Sequence, residues 1–177
     1  MVSKRLDAPE RVANLLGALA LAVTDRVCSD LQSVGFNANE AATLTTVAAN
    51  PGLRIRDVAT ILHHSHSATV RLVAALAARN LLHKTAGHDR REAKLSLSAD
   101  GQAAVEAIHR ERRRRLEQIV ADLPPQKLAP LRDALEVLLT SLATDDVETF
   151  RICRLCDETT CDAQICPVES TYRGVWP

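Results

Sequence analysis

Apolar residues recur at three- and four-residue steps through Val12, Leu15, Leu16, Leu19, Val23, Val27 and Leu31. That spacing puts one apolar stripe along a single long helix. Asp7, Pro9 and Glu10 supply its entry and Gly35 its exit. Asn37 and Glu40 have the capping-box arrangement and open a second helix to about Ala49, which Pro51 and Gly52 break. Ile55, Val58, Ala59 and Leu62 predict a helix of about two turns. After the tight connection at His63 and His64, Ser65 caps another helix, with Val70, Val73, Leu76 and Ala77 turned inward to about Asn80.

Two short helices joined by so short a turn form a helix-turn-helix candidate. Leu81 to Lys84 then reads as a strand, and residues 87–91 as a polar turn. Ala93, Leu95 and Leu97 alternate with Lys94, Ser96 and Ser98 as a returning strand. A hairpin directly behind a helix-turn-helix is a wing. Ser98 or Asp100 opens a long helix carrying Val105, Ile108, Leu116, Ile119 and Leu123, closed by Pro124 and Pro125. A last helix is predicted from about Gln126 to Arg151, with Leu128, Leu131, Leu135, Leu138 and Leu142 at heptad-like spacing. From Ile152 the chain turns to Cys, Asp, Thr and Pro, which marks an appended tail. The fold class is therefore mainly α with a small β wing.

Composition alters this picture in three respects. The 177 residues carry no net charge, but eight Lys/Arg face three acids between Arg54 and Lys94, where five of the six histidines also fall. From Asp145 onward seven acids face three arginines. A basic middle points to an anionic partner in a way the neutral sum does not. Aromatics are confined to Phe36, Phe150, Tyr172 and Trp176, which argues against stacking platforms for single-stranded nucleic acid. No apolar run is read as long enough to span a bilayer, and Arg5, Asp7, Glu10 and Arg11 interrupt any signal-peptide pattern. The expectation is a soluble cytoplasmic protein with no membrane partner.

The order of motifs is more specific. Arg71-Leu72-Val73, then Leu81-Leu82, Asp89-Arg90-Arg91, Leu95-Ser96-Leu97-Ser98 and Gly101 resemble the MarR family of bacterial regulators over roughly residues 10–150. Asn80 stands where the family commonly has Gly, and Asn tolerates the left-handed backbone needed there. The resemblance implies a homodimer whose first and last helices intertwine, presenting two winged domains to successive major grooves of a near-palindromic duplex. It divides the chain into a dimerisation helix (1–36), a winged helix-turn-helix domain (37–98) and C-terminal dimerisation helices (99–151), to which composition and cysteine spacing add a cysteine-rich metal-binding tail (152–177). It also implies a small-molecule effector bound between the dimer helices and the winged domain.

For double-stranded DNA, the positions read as exposed on the second short helix are Ser65, His66, Ser67, Thr69 and Arg71. Short hydroxyls, His and Arg at a helix start can reach base edges or phosphates, although Ser65 has capping as an equally good role. On the hairpin, Lys84, His88, Arg90 and Arg91 are the candidate contacts, with an arginine of the turn reaching an adjacent minor groove. The resemblance makes Asp89 a support that orients an arginine. Arg110 and Arg112 to Arg115 wrap around their helix and read as a solvated face, some pairing with Glu111, Glu117 or acids near Asp145.

Four of the five cysteines lie within fourteen residues, as Cys153-x2-Cys156-x4-Cys161-x4-Cys166. This is metal-ligand spacing: four thiolates suit tetrahedral Zn2+, while the following Pro167 also matches the Cys-Pro ending of ferredoxin motifs, so an iron–sulfur cluster is the alternative. Reversible disulfides are a third reading. Cys28, on the first helix, reads as a small buried apolar residue, and His63, His64 and His66 only weakly suggest a metal. No Ser/His/Asp order, phosphate loop or recessed carboxylate pair is present, so no enzyme is expected. The reading is a transcription regulator, a repressor, released from its operator by a ligand, a redox change or metal loss. The alternative is a metal- or redox-handling protein, or a docking module, in which DNA binding is secondary.

Overall fold

The computed structural model describes residues 9–85, 93–158, 160 and 165–172. Seven helices are described: α1 Pro9–Ser33, α2 Ala38–Ala49, α3 Ile55–Ile61, α4 His66–Ala78, α5 Ala99–Ala121, α6 Pro125–Leu142 and α7 Asp146–Cys153. Between α4 and α5 lies an antiparallel hairpin, β1 Leu82–Thr85 and β2 Lys94–Leu97, and a single 3-10 turn follows at Glu169–Thr171. The chain is thus mainly α with a small β wing.

Local chemistry sets the boundaries. Gly35, at φ 88°, ends α1. Asn37 Oδ1 accepts from the Asn39 and Glu40 amides while Glu40 accepts from the Asn37 amide, which is the predicted capping box. Asn80 takes the left-handed conformation, at φ 57°. Its carbonyl accepts from the Ser98 hydroxyl, and Ser98 in turn caps α5 by accepting from the Gly101 amide at 2.9 Å. The start of α5 is thereby fastened to the turn that leaves α4.

The core sits where α1, α2, α3, α4, α5 and the hairpin meet. Leu31, Leu44, Val47, Val58, Val73, Leu76, Leu95 and Ile108 are fully buried within it. β2 is paired on both sides. It runs against β1 with Leu82 opposite Leu97, and against the segment before α3 through Gly52 N to Leu95 O (2.9 Å) and Leu95 N to Leu53 O (2.8 Å). The hairpin base is therefore locked to the helix-turn-helix. Arg79 ties the end of α4 to the α1–α2 turn: it pairs with Glu40 at 3.0 Å, donates to the Gly35 carbonyl and lies 4.9 Å over the Phe36 ring.

Three sequence expectations need correction. The last helix does not run unbroken to Arg151. α6 stops at Leu142, and Asp145 starts α7 by accepting from the Glu148 amide at 2.9 Å. The arginine run is not simply solvated: Arg115 makes two bonds to Asp30 of α1, at 2.5 and 2.9 Å, and Arg113 reaches Asp157 of the tail at 3.1 Å. Arg114 does pair with Glu111, at 2.8 Å. Finally, α1 is long and apolar enough to cross a membrane by length and composition, at mean hydropathy 1.3. Its last third is nevertheless built into the core through Val27, Asp30 and Leu31.

Candidate nucleic-acid interface and cysteine tail

The α3–α4 turn is made possible by His63, which adopts φ 54°. Ser65 then caps α4, accepting from the Ala68 amide at 3.3 Å, so its hydroxyl is engaged in holding the helix start. Val73 and Leu76 fix which face of α4 enters the core. Counting back four from Val73 reaches Thr69, not Val70. Thr69 is fully buried, and its hydroxyl is satisfied by donating to the Ser65 carbonyl at 3.1 Å. The expectations for this pair are therefore exchanged: Thr69 is not an exposed contact, and Val70 is not inward but 37% exposed.

The outward face of α4 comprises His66, Ser67, Val70, Arg71 and Ala74, spread over about 140° of the helix circumference at 100° per residue. Arg71 makes no ion pair among the described residues, and neither do Lys84 and Lys94, all three being exposed. Arg54 and Arg79, by contrast, are bound to Asp57 and Glu40. The basic middle of the chain thus separates into cations that hold the fold and cations left facing solvent beside α4 and along the hairpin. Residues 86–92, which include His88, Asp89, Arg90 and Arg91, lie outside the described residues. Val70 is the residue of the exposed α4 face that sequence reasoning missed. The phase set by Val73 and Leu76 was the signal, and the polarity of Thr against Val concealed it.

A second group of residues gathers at the tail. α7 lies against α3, and Arg151 donates to the carbonyls of Ile61 (3.3 Å) and Thr60 (3.2 Å) at the end of that helix. The chain returns across α7: the Phe150 and Tyr172 rings meet edge to face with centroids 5.6 Å apart, the Thr149 and Thr171 hydroxyls are 3.3 Å apart, and Val168 is buried. Cys153 and Cys156 are brought together by a turn in which the Cys156 amide donates to the Cys153 carbonyl at 2.7 Å. The Cys153 thiol donates to Cys156, and that bond, aided by Arg112 and Arg154 and opposed by burial and Glu158, lowers the Cys156 thiol to about 6. Cys153 is pushed upward by the same bond, by burial and by the charges of Cys156, Cys166 and Glu169.

Cys161 lies outside the described residues. Among the described residues, no three His, Cys, Asp or Glu side chains already surround a common metal position. Cys28 is half-buried on α1. Beside the tail, His109 of α5 has Nδ1 3.7 Å from Asp157, while its Nε2 is buried with no hydrogen-bond partner among the described residues.

The family model described as MarR family matches residues 34–92, from just after α1 through β1 and short of β2. No curated protein sequence matches the chain significantly. Among solved structures, the YusO protein of Bacillus subtilis is 18% identical, covering 78% of this chain and 97% of its own, with a TM-score of 0.66. MepR, a transcription regulator of the Staphylococcus aureus multidrug efflux pump MepA, is 19% identical, covering 73% and 97%, with a TM-score of 0.66. A MepR mutant bound to an oligodeoxyribonucleotide is 19% identical, covering 74% and 97%, with a TM-score of 0.57. At these identities the likeness is one of fold: the chain has the winged-helix architecture of MarR-type transcription regulators.

Proposed function

We propose that the chain is a cytoplasmic, homodimeric regulator of transcription that binds double-stranded DNA at near-palindromic operators and represses by occupying them. The observation that carries this reading is the outward face of α4. It offers His66 and Ser67 for hydrogen bonds, Val70 as an apolar group suited to a thymine methyl, and Arg71 as a cation with no ion pair among the described residues, beside the exposed Lys84 of the hairpin. Such a face fits a major groove, and the hairpin fits the adjoining backbone and minor groove. MepR and its oligodeoxyribonucleotide complex support the analogy of fold.

Dimerisation rests on a separate feature. Val12, Leu15, Leu16 and Leu19 on α1, with Leu128, Leu135, Leu138 and Leu142 on α6, are 41% to 61% exposed in the single chain. α6 contributes no buried residue. A two-sided apolar surface of this extent belongs in an interface. Release follows when an effector, a redox change or metal loss favours a different spacing of the two α4 helices.

The test is anisotropy titration of the full-length chain with random duplex across a salt series. Binding should weaken steeply as salt rises, because phosphate contacts release counterions. Arg71→Ala and Lys84→Ala should each lower the affinity, and a phosphate-contacting member of the pair should reduce the salt slope by about one. Duplex binding indifferent to salt and to both substitutions would sink the proposal.

A further inference from the structure

α6 is nearly detached from the rest of its own chain. It buries no residue and has no extended packing against any other described helix or strand. At its start it reaches the winged domain only along α5, which is 23 residues or about 34 Å long. At its end, Ala143 and Thr144 lead straight into α7, and α7 does pack on the winged domain, against α3. Ala143 is buried at this joint, as are Asp146 and Thr149 of α7.

The seat of α7 on α3 is directional. A helix end leaves carbonyls in need of donors, and it carries the negative end of the helix dipole. Arg151 meets both needs: Nε donates to the Ile61 carbonyl at 3.3 Å and Nη2 to the Thr60 carbonyl at 3.2 Å. Its remaining nitrogen, Nη1, is held by Glu148 on α7 itself. The Thr60 carbonyl also accepts from the His63 amide at 3.2 Å. His63 is the left-handed residue of the turn, and α4 begins three residues later at His66.

We propose that α7 is a strut between α6 and the helix-turn-helix, and that Arg151 is the positioning residue through which it sets the end of α3 and the turn into α4. Arg151 is not itself a DNA contact, because all three guanidinium nitrogens are engaged within the chain. Its effect on binding comes through the placement of α4, since a reading helix fixed beforehand gives up less freedom on binding. α6 is the helix assigned above to the dimer interface, so a change in how two copies sit is passed through α7 to α4. That consequence for DNA rests on the regulator reading above, whereas the strut itself does not.

The test compares the full-length chain with Arg151→Gln, once circular dichroism shows equal helix content. Amide exchange at Leu62, His63 and His64, whose amides close the end of α3, should speed up by about tenfold, the worth of one charged hydrogen bond. Leu44 and Val47 of α2 and Ile108 of α5 should keep the parent rate. Arg151→Lys, which retains a cation able to reach the same carbonyls, should recover most of the protection. Asp145→Ala removes the cap of α7 and should reproduce the effect. Combined with Arg151→Gln it should add little, because both break one link.

In the salt series with random duplex, Arg151→Gln should weaken binding by about threefold to tenfold and keep the parent's salt slope. Loss of a phosphate contact would instead reduce that slope by about one. Unchanged exchange at the end of α3, an equal rise throughout the winged domain, or no recovery in Arg151→Lys would each overturn the proposal. So would a reduced salt slope, or parent-like duplex affinity despite the faster exchange. A parent that shows the Arg151-dependent protection but never binds duplex would leave the strut standing and refute the regulator reading.

Discussion

Gly101 shows how much a single hydrogen atom in place of a side chain can decide. A Cβ there would lie 2.1 Å from the Leu81 carbonyl oxygen and 3.1 Å from its carbon, and both are backbone atoms that cannot swing aside. Gly101→Ala must therefore push α5 away from the turn that Ser98 and Asn80 fasten. Denaturant unfolding should report a loss of about 2 kcal/mol or more, at the upper end of overpacking costs. His109 makes the second prediction at this scale. Burial lowers its pKa below 6.5, outweighing the upward pull of Asp157, with Arg112 and Arg113 adding to the lowering. The unfolded chain takes up this proton as pH falls past about 6.5, while the folded chain resists until lower pH. Stability is complete above the unfolded pKa and declines as pH falls toward the folded one. Urea unfolding between about pH 5 and pH 7 should show that positive slope, and His109→Gln should flatten it.

At the scale of elements, the joint between α1 and α5 is carried by Asp30 and Arg115 in a two-bond pair. Arg115 is the first cause of the lowered Asp30 pKa, opposed by burial and supported by the charges of Arg115 and Arg114. Asp30→Asn should lower the melting temperature at neutral pH. The difference from the parent should vanish in acid, because a carboxylate with a depressed pKa contributes above its unfolded value of 3.8 and loses that contribution as pH falls through the folded one. Nothing in the sequence marked this pair, since its members stand 85 residues apart and helical spacing relates only near neighbours. The capping box at Asn37, the left-handed Asn80 and the order of helices and hairpin were legible because their signals are local. The break between α6 and α7 was legible too, in Asp145 followed by Glu148, but the leucine spacing that ends at Leu142 drew the eye past it. Thr69 and Val70 were exchanged for a related reason: residue polarity was weighed above the phase of the buried stripe.

At the scale of the molecule, the two surfaces that the single chain leaves apolar lie on α1 and α6, the first and sixth helices in order. α1 is divided by function along its length. Its C-terminal part enters the core through Val27 and Leu31, whereas its first sixteen or so residues (about four turns) bury none of their side chains. Sequence reading saw the stripe but not this division, because the same three- and four-residue spacing serves a core and a partner equally well. The partner that suits both surfaces at once is a second copy, since a twofold axis lets α1 and α6 of each chain cover those of the other. A charge placed in either surface should then act on assembly before it acts on the fold. Leu16→Glu and Leu138→Glu sit at exposed positions of the monomer, so each should keep its helical circular dichroism while light scattering reports a shift from dimer to monomer. Each should also lose high-affinity binding to a two-half-site duplex and retain the weak, salt-sensitive binding of one winged domain. Loss of both together would mean that the substitutions had unfolded the domain. Dimers that persist in both variants would instead mean that this surface serves some other partner.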